Sequence, residues 1–184
     1  MKLDRKEALH SVRANVRDKD AVMHMLAAEM VMRALARKLG TDEEEWGLTG
    51  LLHDIDVELV EGDVNSHSRL GADLARELGA NDAMAHAILS HNEAHGVPRE
   101  TKLDKALFCA DSLSRLITAS AQACPDKLKG CTAKSVLEHF KDKQFVPEVN
   151  REQIISCREL GLGLEEVIAL GLEAMKSVAL QLQL

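Results

Sequence analysis

Three sites in the chain carry groups that bind cations or move protons, and each lies on the apolar stripe of a helical segment. His24 shares a face with Ala28, Val31 and Leu35, at offsets of four, seven and eleven, so its ring points inward. His53 and Asp54 end a second apolar segment, and Asp111 shares its stripe with Leu103, Leu107 and Ser114. A carboxylate on a core-facing stripe is costly to bury unpaired, and a metal cation is one way to satisfy it. Imidazole with carboxylate suits a divalent transition metal such as Mn, Fe, Co or Ni, held in a bundle core by helices of fixed geometry. On spacing alone, a hydrogen-bonded polar core stands as the alternative.

The elements that must position these groups are helices. Apolar positions recur at helical spacing almost throughout, and period-two alternation is never sustained for the length of a strand, which predicts an all-α chain. The pattern predicts helices over Arg5 to Val16, Ala21 to Leu39 with Asp20 as cap and Gly40 as stop, and from Thr41 toward His53. Thr41 with Glu44 three residues later reads as a capping box. A loop from Asp56 to Asn65 precedes helices over Ser66 to Leu78, closed by Gly79, and Asn81 to His91. The segment His95 to Pro98 breaks the pattern before a helix from Lys102 to Ser120. Further helices follow over Ala133 to Phe140, Arg151 to Leu160 and Leu164 to Leu182.

The 184 residues predict one domain, with residues 123–184 as a helical extension of a core over about 20–120. With 46% hydrophobic residues but one Trp, three Phe and no Tyr, the core must be aliphatic. The Met23, Met25, Met30 and Met32 cluster then reads as packing. A net charge of -7 argues against a surface that tracks duplex nucleic acid. The charged start and the lack of a long apolar run predict a cytoplasmic protein without signal peptide or membrane span. Cys109, Cys124, Cys131 and Cys157 have no zinc-ribbon spacing and are expected to be reduced. No glycine-rich phosphate loop, nucleophile elbow or dinucleotide fingerprint is present.

The order His24, His53-Asp54, Asp111 resembles that of the HD superfamily of metal-dependent phosphohydrolases. The surrounding text LLHDIDVE, NSHSRLGADLA, AILSHN and KALFCADSLSRLI carries the likeness over residues 20–120. KSVLEHFKDKQF and NREQIISCRELGLGLEEVI further resemble a small bacterial subgroup of stand-alone HD proteins. The resemblance implies that His24, His53, Asp54 and Asp111 hold one metal ion, and that His67 and His91 are ligands of a second, with Asp54 bridging. A helix-capping His67 and a His91 hydrogen-bonded near its helix end are the alternatives. His91 follows Met84 and Ile88 by seven and three, on the core side, whereas His86 lies about 140° round the same helix.

Many HD enzymes place a lysine or glutamate four residues after the first residue of the dipeptide, where this chain has Val57. Asp56 and Glu58 flank it and, on an extended chain, would point to one side as candidate proton donors. Arg115, one turn after Asp111, is the first candidate for phosphate binding, with Arg69 and His95 behind it. The expected activity is hydrolysis of a phosphoester of a small metabolite or nucleotide by a metal-activated water, with one or two ions. An HD-type di-iron oxygenase and a non-catalytic metal- or nucleotide-binding module are the competing readings. The apolar C-terminal segment is equally suited to internal packing or to a homodimer surface.

Overall fold

The two longest helices, α2 (Lys19–Leu39) and α6 (Lys102–Ala123), frame a computed structural model that describes residues 3–184. Their inward faces are aliphatic and fully buried, with Met25, Val31, Met32 and Leu35 from α2 and Leu107, Leu113, Leu116 and Ile117 from α6. Met25 and Met32 fill the core, as the packing reading expects. Helix α3 (Glu43–Leu52) lies along α2, α5 (Asp82–His91) on α6, and α4 (Arg69–Glu77) on α5, while α1 (Arg5–Asn15) covers α3.

The later helices pack onto the same pair. α7 (Lys127–Gly130), α8 (Ala133–Lys141) and α9 (Arg151–Ile155) rest on α6; α10 (Leu164–Lys176) lies against both α2 and α6, followed by α11 (Ala179–Leu182). Among the described residues every regular element is helical, and none is long and apolar enough to cross a membrane. The chain is all-α, and all four cysteines are free thiols.

Local chemistry shifts several helix boundaries from their expected places. Helix α2 is capped by Asp18, not Asp20: the Asp18 carboxylate accepts the N–H groups of Asp20 and Ala21 at 2.7 and 3.3 Å. Gly40 ends α2 in the left-handed region at φ 67°, as expected. The N–H of Thr41 then returns to the Ala36 carbonyl, which draws Thr41 into the end of α2. The first side chain free to cap α3 is Asp42, which accepts from Glu44 and Glu45 N–H at 2.9 Å each. Glu44, expected in a capping box, pairs with Arg33 instead.

Three further helices differ in length or continuity, the segment expected as one helix from Arg151 to Leu160 being α-helical only over α9 and 3-10 from Ser156. Helix α4 starts at Arg69 rather than Ser66, because Ser68 sits at φ 69°, a conformation no helix can include. The C-terminal segment breaks after Lys176, so that α10 and α11 replace one continuous helix.

The contact that sets the site is between α2 and α3. Gly50 brings the α3 backbone so near α2 that a Cβ there would lie 2.9 Å from the Ala28 carbonyl oxygen. Beside it the fully buried Glu29 carboxylate takes Arg5 at 2.6 and 2.9 Å and Arg33 at 2.9 Å. This close approach carries His24 and His53, one turn away on either helix, to each other. Gly50→Ala is expected to cost about 1 to 3 kcal/mol through backbone displacement, a lowered urea midpoint being the readout.

Candidate metal centre

Four imidazoles and two carboxylates converge where α2, the end of α3, the turn before α4, the end of α5 and the middle of α6 meet. His24 Nε2 lies 3.1 Å from His53 Nε2 and 3.0 Å from Asp111 Oδ1. Asp54 sits between two sets of ligand atoms. Its Oδ2 is 3.3 Å from His53 Nε2 and 3.6 Å from His24 Nε2, while its Oδ1 is 3.4 Å from His67 Nε2 and 3.5 Å from His91 Nε2. His24, His53 and Asp111 form one group with ligand atoms within 4.8 Å of one another, and His53, Asp54 and His91 a second.

Each ring is held by its other nitrogen. His53 and His91 end their helices, where the last carbonyls lack intrahelical donors, and each gives its Nδ1–H to the carbonyl three residues back: Gly50 at 2.8 Å and Ile88 at 2.6 Å. His24 Nδ1 meets Ser114 Oγ at 3.2 Å; because that hydroxyl donates to the Asp111 carbonyl, it accepts from the ring. His67 gives its Nδ1–H to Asp56 Oδ1 at 2.9 Å. With hydrogen on every Nδ1, four Nε2 lone pairs face one another and two acceptor-only carboxylates. Such a convergence of lone pairs requires a cation, and the donor set fits a transition metal.

A proton is the other cation that meets this requirement. Burial works against charge on His53, yet Asp54 and then Asp111 raise its pKa to about 10. Burial likewise resists ionisation of both aspartates, but His53 holds Asp54, and His24 with His53 holds Asp111, well below the usual carboxylate range. At His24 burial wins and lowers the pKa, against a hydrogen bond to Asp111.

The groups expected to act on substrate divide in two. Arg115 is at the centre, donating from Nε to Asp111 Oδ1 at 3.0 Å and from a terminal nitrogen to Asp54 Oδ2 at 3.1 Å. Arg69 donates to His95 Nδ1 at 3.2 Å, and His95 Nε2–H reaches the His67 carbonyl at 2.6 Å, so both brace the turn that carries His67. Asp56 and Glu58 do not share a side. The chain after Asp54 is a series of turns, with Val57 N–H on the Asp54 carbonyl and Val60 N–H on that of Asp56, so strand alternation does not apply. Asp56 is fully buried behind His67, and Glu58 accepts the N–H groups of Arg17 and Asp18 at 2.8 and 2.6 Å. Asp56 meets the cluster only through the Nδ1 side of His67, and Glu58 is turned to the segment before α2.

Sequence reasoning passed over Ser114, Asn92 and the carbonyls of Gly50 and Ile88. Ser114 stood on the Asp111 stripe and was read only as a member of it, while Asn92, adjacent to His91, donates to the carbonyls of Val64 and His67. Beyond His24 and Arg115 a cleft of about 460 Å³ opens between Lys19 and Met23 of α2, Thr118 and Gln122 of α6, and Glu148 on the loop before α9.

Because metal ligation needs the His53 lone pair, loading should expel the proton held there. Calorimetry in buffers of differing ionisation enthalpy should give about one proton released per chain at pH 8, with apparent affinity rising up to tenfold per pH unit below about 10. In the metal-free protein the raised His53 pKa contributes stability that is fully present below its ordinary value near 6.5. That contribution is lost as pH rises through about 10. The chelated protein should therefore melt at a lower temperature at pH 10 than at pH 7.

Comparison with known proteins follows the same residues. The HD domain family model matches residues 22–116, just over half of the 184, from just before His24 to just beyond Arg115. Ribonuclease Y of Oleidesulfovibrio alaskensis is 36% identical over 96 residues, which are 52% of this chain and 18% of that protein. The ribonuclease Y proteins of Sulfurovum sp. and Aquifex aeolicus are each 33% identical over 96 residues, covering 52% of this chain and 18% and 17% of theirs. The chain thus spans under a fifth of the length of these relatives. No solved structure gives a significant match. By the extent of the match and the placement of its histidines and aspartates, the chain belongs to the HD domain family.

Proposed function

We propose that the protein is a metal-dependent phosphohydrolase whose substrate is a phosphoester of a small metabolite or nucleotide. The observation that carries this reading is Asp54, whose two oxygens face two different sets of imidazole lone pairs. His24, His53, Asp54 and Asp111 would hold one ion, and His67, His91 and the shared Asp54 a second. When bound, such ions supply Lewis acidity toward phosphoryl oxygens and lower the pKa of a nearby water.

The chain's own residues supply orientation and charge. Asp54, fixed between the two ligand sets, accepts a hydrogen bond from the attacking water and aligns it with the phosphorus. Arg115, about half exposed and next to the ligand carboxylates, turns its fork toward the phosphate and screens its charge. The cleft beyond His24 and Arg115 takes the rest of the substrate between Met23, Thr118 and Gln122. With Asp56 and Glu58 both committed to N–H donors, solvent in the cleft protonates the leaving group.

A phosphodiester of single-stranded RNA is the second reading. The relatives bear the name ribonuclease Y, and a second hollow, which shares Lys19 and Met23 with the cleft, is lined by Arg13 and Arg17.

A panel of nucleoside monophosphates, sugar phosphates and a short single-stranded oligoribonucleotide, assayed with Mn and with Fe, tests both. Hydrolysis of a monophosphate in preference to the oligonucleotide supports the first reading, and the reverse order supports the second. Asp54→Asn should abolish turnover with helix content unchanged, and Arg115→Ala should lower kcat/KM by about 10- to 1000-fold. Absence of hydrolysis across the panel by fully metal-loaded protein would refute both.

A further inference from the structure

We infer that Asp56 is a positioning residue for the second metal ion, acting through His67 and leaving the first ion's ligands untouched. The inference rests on the binuclear reading of the centre. Asp56 is fully buried, and among the described residues its ion-pair partner is His67, with no arginine or lysine against it. Its carboxylate is instead saturated by three N–H donors from a single short segment: His67 Nδ1 at 2.9 Å, the Ser68 backbone at 2.7 Å and the Gly71 backbone at 2.8 Å.

Those three bonds account for the shape of the turn. The bond to the Ser68 N–H holds that residue at φ 69°, a conformation disfavoured for a residue with a side chain. The bond to Gly71 anchors the first turn of α4 against the carboxylate; a Cβ there would come within 3.2 Å of it. The bond to His67 fixes the tautomer and aims Nε2 at Asp54 Oδ1, 3.4 Å away. His67 is the one imidazole of the cluster whose second nitrogen meets a carboxylate, and it sits within the turns before α4, whereas His24 and His91 lie on helices and His53 directly follows α3. A carboxylate behind a ligating imidazole both orients the ring and increases the donor strength of its other nitrogen.

The first ion's ligands draw on different supports. His24 is backed by Ser114 of α6 and His53 by the Gly50 carbonyl of α3. Loss of the Asp56 charge should therefore weaken one ion and spare the other. An asparagine in its place keeps the shape but offers one acceptor oxygen to three donors, and turns an NH2 group toward at least one of them.

The test is a titration of the metal-free full chain with Mn, following stoichiometry by elemental mass spectrometry and coupling between ions by electron paramagnetic resonance. In the wild type two ions and an exchange-coupled spectrum are expected. Asp56→Asn should weaken the second ion by about 10- to 100-fold, giving an uncoupled six-line spectrum, with the first ion within about threefold of wild type. Gly71→Ala, which presses on the carboxylate but leaves its charge, should weaken the second ion less, again sparing the first.

Two coupled ions of wild-type affinity in Asp56→Asn, or equal weakening of both ions, would overturn the role of Asp56. If Asp56→Asn does not fold, Gly71→Ala decides alone, and unchanged affinity for both ions there overturns it. One ion or none in the wild type would instead refute the binuclear reading on which the inference rests.

Discussion

Holding six electron-donating side chains together against their mutual repulsion is the constraint around which this fold is arranged. The Nε2 atoms of His24 and His53 stand 3.1 Å apart, with Asp111 and Asp54 beside them, in a region from which water is largely excluded. No pair among these acceptors attracts another unless a cation joins them. The scaffold must therefore impose the geometry, and the cation, proton or metal, then makes it favourable. A proton kept on His53 to about pH 10 is one form of that compensation, and the Arg115 guanidinium beside Asp54 and Asp111 is another.

The scaffold meets the constraint through rigid backbone contacts on one side and polar bracing on the other. Gly50 lets α3 rest against the backbone of α2, which fixes His24 relative to His53 without reliance on flexible side chains. His53 and His91 use the free carbonyls at their own helix ends as anchors, so helix termination and ligand orientation are the same event. On the opposite side the segment leading to His67 leaves its Val64 exposed, and Asp56, Asn92 and His95 hold it by hydrogen bonds. The two halves of the centre thus differ in how they are built.

This asymmetry bears on function. A cation held by His24, His53 and Asp111 would be embedded in the main core, next to the cleft and Arg115. One beside His67 and His91 would depend on a braced turn with an exposed rim. The HD domain match over residues 22–116 contains all six of the clustered histidines and aspartates. The extent of the cleft, by contrast, owes much to Val146, Glu148 and Leu182, which lie outside the matched region.

The sequence by itself determined the all-α class and the inward placement of His24, His53, His91 and Asp111, because those depend on helical periodicity and on neighbours within two turns. It also marked Arg115 through its one-turn spacing from Asp111. Roles that depend on residues distant along the chain were decided only by the tertiary structure. Asp56 and Glu58 look alike in sequence as carboxylates flanking Val57; in space one is buried against the 67–71 segment and the other caps N–H groups before α2. Thr41 likewise has a capping residue's identity, but Gly40 turns the chain so that Thr41 closes α2 and Asp42 opens α3. Periodicity reports which face of a helix is buried, whereas the partner a buried polar group meets is set by how the helices and turns pack.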